Sequence, residues 1–323
     1  MSAAMSLGST QLELVGIVDI RFMLETYGLL IRSGRAKEIL GAADVVPMTI
    51  RRTYTVENVT RTIEVPYIPA SSLKGKTRSL LEIAYNLPLY TTDNKIYLHM
   101  RVVKDDVVHT DPYCPIDNIF GTPAIDEERL EEKGLQNLFK CWAPSRAIFR
   151  DLFPSVEYIK GLCEEKSCSD ITLGDFVEEK WENRIDRVTS TADPRNILRL
   201  KPGVEFDGSI AFLIFDLDIC IREECNQLPS AYRDKIGDSP PAKFYIQTLL
   251  KGLELVEATY LGASGTRGYG QVKFKRLKAE FKPIAPRAKG VAPPAVEGDD
   301  LAKFMTNVQN WDLWNGLKGL CKS

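Results

Sequence analysis

The chain has 323 residues, 44% of them apolar and 27% charged, the makeup of a soluble globular protein with one large domain or two smaller ones. No apolar run reaches the roughly 18 residues of a membrane-spanning helix, and "MSAAMSLGSTQLELVG" lacks the basic segment of a secretory leader, so a cytoplasmic protein is expected. A net charge of −2 announces no nucleic-acid binder, yet basic residues gather in "IRSGRAK", "TIRR", "LKGKTR", "NRIDR" and "TRGYGQVKFKRLK", which permits a basic groove on a near-neutral protein.

Residues 11–25, "QLELVGIVDIRFMLE", predict a long strand. Leu12, Leu14, Val18, Ile20, Phe22 and Leu24 share one face at period two, and Glu13, Asp19, Arg21 and Glu25 take the other. "YGLLIRSGRAKEILGAADVVP" reads as an irregular loop. Ser71 or Ser72 is placed to N-cap a helix running to about Asn86, with Leu73, Leu80, Leu81 and Ala84 inward. Residues 90–200 read as irregular insertions into a smaller core.

A second strand is expected over 204–221, "VEFDGSIAFLIFDLDICI". "PPAKFYIQTLLKGLELVEATY" then predicts a helix with Phe244, Leu249, Leu250, Leu253 and Val256 on its apolar face. The glycine-rich turn "LGASGTRGYG" and the strand "QVKFKRLKAEF" follow. Strand–helix at the front and strand–helix–strand at the back point to an α+β, ferredoxin-like sandwich spanning residues 1–284. "APRAKGVAPPAVEGDD" reads as a Pro/Ala/Gly linker over 285–300. An amphipathic helix over 301–323, with Leu301, Phe304, Met305, Val308, Trp311 and Leu317, is expected to dock on its own core.

Within "PASSLKGKTRSLLE", Ala70–Thr77 loosely fits the phosphate loop of nucleotide hydrolases. Such a loop needs a buried strand running straight into a Gly-rich turn. The lead-in "RTIEVPYIPASS" alternates polar and apolar residues and carries Pro66 and Pro69, a poor central strand. Only Gly75 remains of the loop glycines. "AFLIFD" has the look of a strand ending in a magnesium-binding Asp, but the expected strand runs on through "LDICI". A polyanion cradle fits better. Lys74, Lys76 and Arg78 stand at a helix start, and "GASGTRGYG" offers backbone N–H groups, Arg267 and a stackable Tyr269.

Seven cysteines, at 114, 141, 163, 168, 220, 225 and 321, include no CxxC pair. The spacing in "CEEKSC" and "CIREEC" is loose for zinc, and free buried thiols are the expected reading.

"YIPASSLKGKTRSLLE", "NIFGTPA", "ENRIDRVTSTADPRN", "PGVEF" and "YLGASGTRGYGQVKF", in that order, resemble the backbone subunit of Csm effector complexes, in the RAMP superfamily of type III CRISPR systems. The similarity runs from about residue 11 to residue 278. It implies a modified RNA-recognition fold whose copies stack along a guide RNA, with large insertions over about 90–200. It implies RNA contacts from Ser72, Lys74, Lys76 and Arg78, and from Gly265, Arg267, Gly268, Tyr269 and Gly270. A thumb hairpin over about 180–200 brings Arg184, Arg187 and Arg195 to the RNA, and the basic stretch after the first strand brings Arg32 and Arg35. The resemblance further implies target-RNA cleavage with magnesium or manganese, with Asp44 in "GAADVVP" as the catalytic residue. The implied partners are guide RNA, target RNA, further copies or paralogues of the chain and other type III subunits, with no membrane. A non-cleaving scaffold of a Cmr-like or type III-D complex and a phosphate-binding enzyme are the alternatives. Relatives often carry a Cys/His zinc cluster before the "FG" motif. Here "HTDPYCPIDNIFG" keeps His109 and Cys114, but Asp117 stands where cysteine is usual, so zinc is left open and not expected.

Overall fold

The computed structural model describes residues 12–31, 46–104, 106–123, 130, 134–135, 138 and 140–321. Strand β1 (Leu14–Tyr27) lies at the centre of an antiparallel sheet, between β10 (Val204–Phe215) and β11 (Gln271–Pro283). Period-two alternation makes it a strand with two unlike faces. Val18, Ile20, Phe22 and Leu24 are buried, while Asp19 and Glu25 pair with Lys282 and Lys275 of β11 on the opposite face. A register shift between Leu14 and Gly16 moves the start of the strand off this pattern. Val15 is buried instead of Leu14, and Leu12, expected inward, is 40% exposed.

The sheet order is β12–β11–β1–β10–β6, with β6 (Ala147–Phe149) and β12 (Val296–Asp300) outermost; β7 (Phe153–Pro154) also pairs with β10. Helices α1 (Ala70–Ala84) and α6 (Pro241–Ala258) pack against each other, with Gly252 of the second closing on Thr77 and Leu81 of the first. Ala84, expected inward, is exposed. Two hairpins stand off the sheet: β2 (Thr49–Val56) with β3 (Val59–Pro66), and β8 (Val177–Ile185) with β9 (Ala192–Leu200). The remaining elements are the short pair β4 (Val102–Val103) and β5 (Asp106–Val107), and helices α2 (Pro115–Phe120), α3 (Val156–Glu165), α4 (Glu223–Asn226) and α5 (Arg233–Ile236). Among the described residues, no helix is long and apolar enough to cross a membrane.

Three expectations are corrected. The second long strand stops at Phe215, and Asp216–Asp218 form a 3-10 turn, so these acids sit at a strand end. They are nevertheless engaged, Asp218 with the buried Arg146 at 2.9 Å and Asp216 with Arg222. The segment expected to be a linker packs closely. Ala285, Ala288 and Val291 are buried, and β12 extends the sheet beside β11. Its small residues serve proximity, since a Cβ on Gly298 would lie 2.6 Å from the Phe304 nitrogen. Helices α7 (Leu301–Gln309) and α8 (Leu313–Leu320) then bury Phe304, Val308, Trp311, Trp314 and Leu317. Finally, the thiols are not free. Cys141–Cys225, Cys163–Cys168 and Cys220–Cys321 are disulfides with Cα separations of 5.7, 4.5 and 5.6 Å, leaving Cys114 as the free cysteine. For Cys141–Cys225 and Cys220–Cys321 the folding of long intervening segments brings the partners together, which local spacing does not encode; Cys163 and Cys168 are five positions apart.

Candidate nucleic-acid interface and metal cluster

Four backbone hydrogen bonds at the end of β1 organise one side of the molecule. The carbonyl of Gly28 accepts from Gly270 N–H at 3.2 Å, that of Leu29 from Leu200 N–H at 2.8 Å, that of Leu30 from Ala263 N–H at 2.8 Å, and that of Ile31 from Met48 N–H at 3.1 Å. The segment 28–31 is thereby tied to both arms of the glycine-rich turn, to the base of the β8–β9 hairpin and to the lead-in of β2. From it the chain runs on into residues 32–45, which include Arg32, Arg35 and Asp44. Those three residues lie outside the described residues; the flanking Ile31 and Val46 are buried.

The glycine-rich turn folds as a 3-10 turn over Gly265–Arg267, with Ser264 and Gly268 left-handed on either side. Thr266, Arg267 and Gly268 are exposed. Tyr269 is not available for base stacking. It is 2% exposed, packed with Leu30 and Ile197, with Lys180 Nζ 4.0 Å from its ring centroid. It ties the turn to the hairpin. Gly270 has φ +81°, and a Cβ there would sit 2.1 Å from the Leu261 carbonyl oxygen, whereas Gly268, at φ +79°, has open space around it. Gly270→Ala is therefore expected to cost about 2–3 kcal/mol, through the clash added to left-handed strain, and Gly268→Ala about 1 kcal/mol from strain alone. Urea unfolding of both variants checks this, and equal losses would remove the close-approach argument.

At α1 the expected serine cap is absent. The helix begins at Ala70 after Pro69, and the Asp151 carboxylate accepts the Ala70 N–H at 2.7 Å. Ser71 and Ser72 lie inside the first turn. Ala70–Thr77 is thus helix, not a phosphate loop, and the positive end of the helix already holds a carboxylate. Lys76 Nζ stands 3.6 Å from the ring centroid of Tyr260, and that ring also packs against Gly265. Lys74 is half-buried, and burial followed by the charge of Arg78 lowers its pKa. Arg78, expected at the RNA, turns inward. Its guanidinium donates to Glu82 at 2.8 Å, to the Gly121 carbonyl at 3.3 Å and to the His99 carbonyl.

The β8–β9 hairpin has two unlike faces. Lys180, Glu182 and Arg184 oppose Ile197, Arg195 and Asp193 on one, and Trp181, Asn183 and Ile185 oppose Asn196, Pro194 and Ala192 on the other. Arg184 pairs with Asp193 at 2.9 Å, Arg195 lies 3.9 Å from the same carboxylate, and Arg187 is exposed at the tip. Asp186 shapes that tip by accepting the N–H groups of Val188 and Thr189 at 2.9 and 2.7 Å. Trp181 is 63% and Val188 92% exposed. Sequence reasoning misses Trp181, whose signal is a lone tryptophan in the charged run "VEEKWENRI".

Near α2 the structure assembles a second site. His99 Nε2, His109 Nε2, Cys114 Sγ and a carboxylate oxygen of Asp117 lie within 4.8 Å of one another. His109 Nε2 and His99 Nε2 stand 3.3 and 3.8 Å from Asp117 Oδ2. Both Asp117 oxygens and His109 Nε2 are buried without hydrogen-bond partners. Burial works to raise the Asp117 carboxyl, but His109, Arg101 and His99 together hold it below its ordinary value. Burial pushes the Cys114 thiol up and His99 down. Two neutral imidazoles, one thiolate and one carboxylate suit a divalent transition metal, since two anionic ligands balance its charge in a buried place. The residues present could hold such an ion, at a place where the sequence reading left zinc open. Both histidines of the chain converge here, a rarity already visible in the composition. His99, ten residues before His109, escapes sequence reasoning because no motif spacing marks it.

Residues 29–273 match the sequence model of the RAMP superfamily. The CRISPR system Cms endoribonuclease Csm3 of Methanothermobacter thermautotrophicus is 32% identical over 239 residues, covering 73% of this chain and 77% of that one. The protein of the same description from Streptococcus thermophilus is 29% identical over 215 residues, covering 67% and 71%. Among solved structures, a chain in the crystal structure of the Csm3–Csm4 subcomplex of the type III-A CRISPR-Cas interference complex is similar over 92% of this chain and 97% of that one, with a TM-score of 0.43 at 20% identity.

Proposed function

Because the chain belongs to the RAMP superfamily, with Csm3 proteins as its relatives, we propose that it is a backbone subunit of a type III CRISPR effector complex and an endoribonuclease acting on target RNA. Copies of the chain, with other type III subunits, line a guide RNA in the cytoplasm and hold target RNA against it. The strand order β11–β1–β10–β6, with α1 between β1 and β6 in sequence and α6 between β10 and β11, supports reading the core as a ferredoxin-like, RNA-recognition unit.

The observation that carries the reading is the convergence at residues 28–31. One short segment joins the glycine-rich turn, the thumb hairpin and the lead-in of β2, and the chain continues from it into the sequence that carries Asp44. Lys74, Lys76 and Arg267 offer positive charge to phosphates. The thumb supplies apolar side chains and arginines for a distorted duplex. Asp44 serves the cleavage step, either accepting the proton or holding a divalent metal, magnesium or manganese, which when bound would supply charge neutralisation at the phosphate. The His99–His109–Cys114–Asp117 cluster takes zinc in a structural role.

Purified protein should carry RNA, seen as raised absorbance at 260 nm relative to 280 nm. Lys76→Ala should lower affinity for all sequences alike and flatten the salt dependence by roughly 0.7 log unit per decade of salt, the slope of a single phosphate neutralised on a single strand. Arg78→Ala should leave that slope alone and cost about 3 kcal/mol of stability, because it strands the buried Glu82 carboxylate. A salt slope unchanged in Lys76→Ala but flattened in Arg78→Ala would reverse these two assignments.

A further inference from the structure

Arg78 and Glu82 stand one turn apart on α1, and Glu82 is buried. Glu82 Oε1 accepts both the Arg78 Nε–H at 2.8 Å and the backbone N–H of His99 at 3.1 Å. Arg78 also donates to the carbonyls of His99 and Gly121. His99 opens the first segment that delivers metal ligands. Gly121 closes α2, which carries Asp117 and follows directly on Cys114. One guanidinium therefore holds both ligand-bearing segments. His99 Nδ1 lies 3.0 Å from the Pro88 carbonyl, just past the end of α1, which places the proton on Nδ1 and turns the Nε2 lone pair toward the cluster.

We infer that Arg78 and Glu82 are positioning residues that couple metal occupancy of the His99–His109–Cys114–Asp117 cluster to RNA binding by α1, an inference that rests on the RNA-binding reading given under Proposed function. The basic residues "LKGKTR" thus divide their work. Lys74 and Lys76 face the RNA, and Arg78 faces the metal. Lys74, one turn before Arg78, feels its charge. Removing an outer-shell partner of this kind weakens metal binding, and by linkage the metal and the RNA must change each other's affinity by the same factor.

Zinc is the probe, with the full chain. In competition with a chromophoric chelator, Arg78→Ala should bind zinc about 10- to 100-fold more weakly than the wild type. Stripping zinc from the wild type should weaken binding of a single-stranded RNA oligonucleotide about 5-fold or more. The same treatment of Arg78→Ala should leave its RNA affinity unchanged, an effect that a role in stability alone does not produce. Glu82→Gln, which keeps the side-chain shape, serves if Arg78→Ala does not fold. A wild type that takes up no zinc, equal zinc affinities in wild type and variants, or wild-type RNA affinity indifferent to zinc would each overturn the inference. A zinc-loaded wild type that binds no RNA at all would overturn the RNA-binding reading and the coupling with it. That failure is told from failure of the clamp because the zinc competition depends on the clamp alone.

Discussion

Asp44→Ala is expected to lower target-RNA cutting by at least about 100-fold, while target affinity and the melting temperature stay close to those of the wild type. RNA supplies its own nucleophile, the 2′-hydroxyl beside each phosphodiester. Its oxygen attacks the adjacent phosphorus, the bond to the 5′ oxygen breaks, and the 5′-hydroxyl leaves with a proton. The protein must hold these atoms in line, neutralise the phosphate and help the 2′ proton depart. On the proposed reading, phosphate contacts from Lys76 and Arg267, with the thumb bending the strand, would serve the first need. Asp44 would serve the last, accepting the proton or holding the divalent metal. Products should end in a 2′,3′-cyclic phosphate, and chelation should stop the reaction. An assembled wild-type complex that binds target RNA with magnesium or manganese present and never cuts it would make the chain a scaffold. An Asp44→Ala protein that cuts normally would move the chemistry to another residue.

Shortening the thumb should have the second large effect. Replacing Arg187–Thr191 by Asn-Gly removes Val188 and the exposed Arg187 but leaves the β8–β9 ladder up to the Ile185–Ala192 pair. The remaining three-residue connection is compatible with a hairpin. The tip is solvent-exposed and makes its hydrogen bonds within itself, so stability should change by less than about 0.5 kcal/mol. Assembly on guide RNA should fail, read as loss of the long complex in size-exclusion chromatography or electron microscopy. Trp181→Ala is the graded version. Stacking on a base is worth about 1–3 kcal/mol, and Trp181 fluorescence should fall when RNA binds. Filaments of normal length from the shortened protein would refute the thumb assignment.

Much of the fold is legible because it rests on local pattern. Period-two alternation marks β1, and the apolar stripe of "FYIQTLLKGLELV" marks α6. The hairpin around "ENRIDRVTSTADPRN" is legible through the family resemblance, and its polar, turn-rich composition says only that it is not core. The order of five short motifs marks the family. The errors have local causes too. "LKGKTR" reads as three equivalent cations because a sequence shows charge and not direction. On the helix, Arg78 falls on the side that meets Glu82 and the ligand segments, and there it finds acceptors. Tyr269 reads as a stacking platform from its glycine neighbours, but the bonds that draw the turn onto Gly28 and Leu30 close over its ring.

By itself, then, the sequence determined the long central strands, the two packed helices and the RAMP membership, and it nominated residues for RNA contact, because hydrophobic periodicity and short motifs act over one element. Only the tertiary structure decided which eligible residues meet. His99 reaches Asp117 across 18 positions, Cys220 reaches Cys321 across 101, and the Pro/Ala/Gly segment becomes a sheet edge because β11 offers it unpaired backbone. Such meetings depend on the packing of segments far apart in the chain, whose distances no local spacing sets.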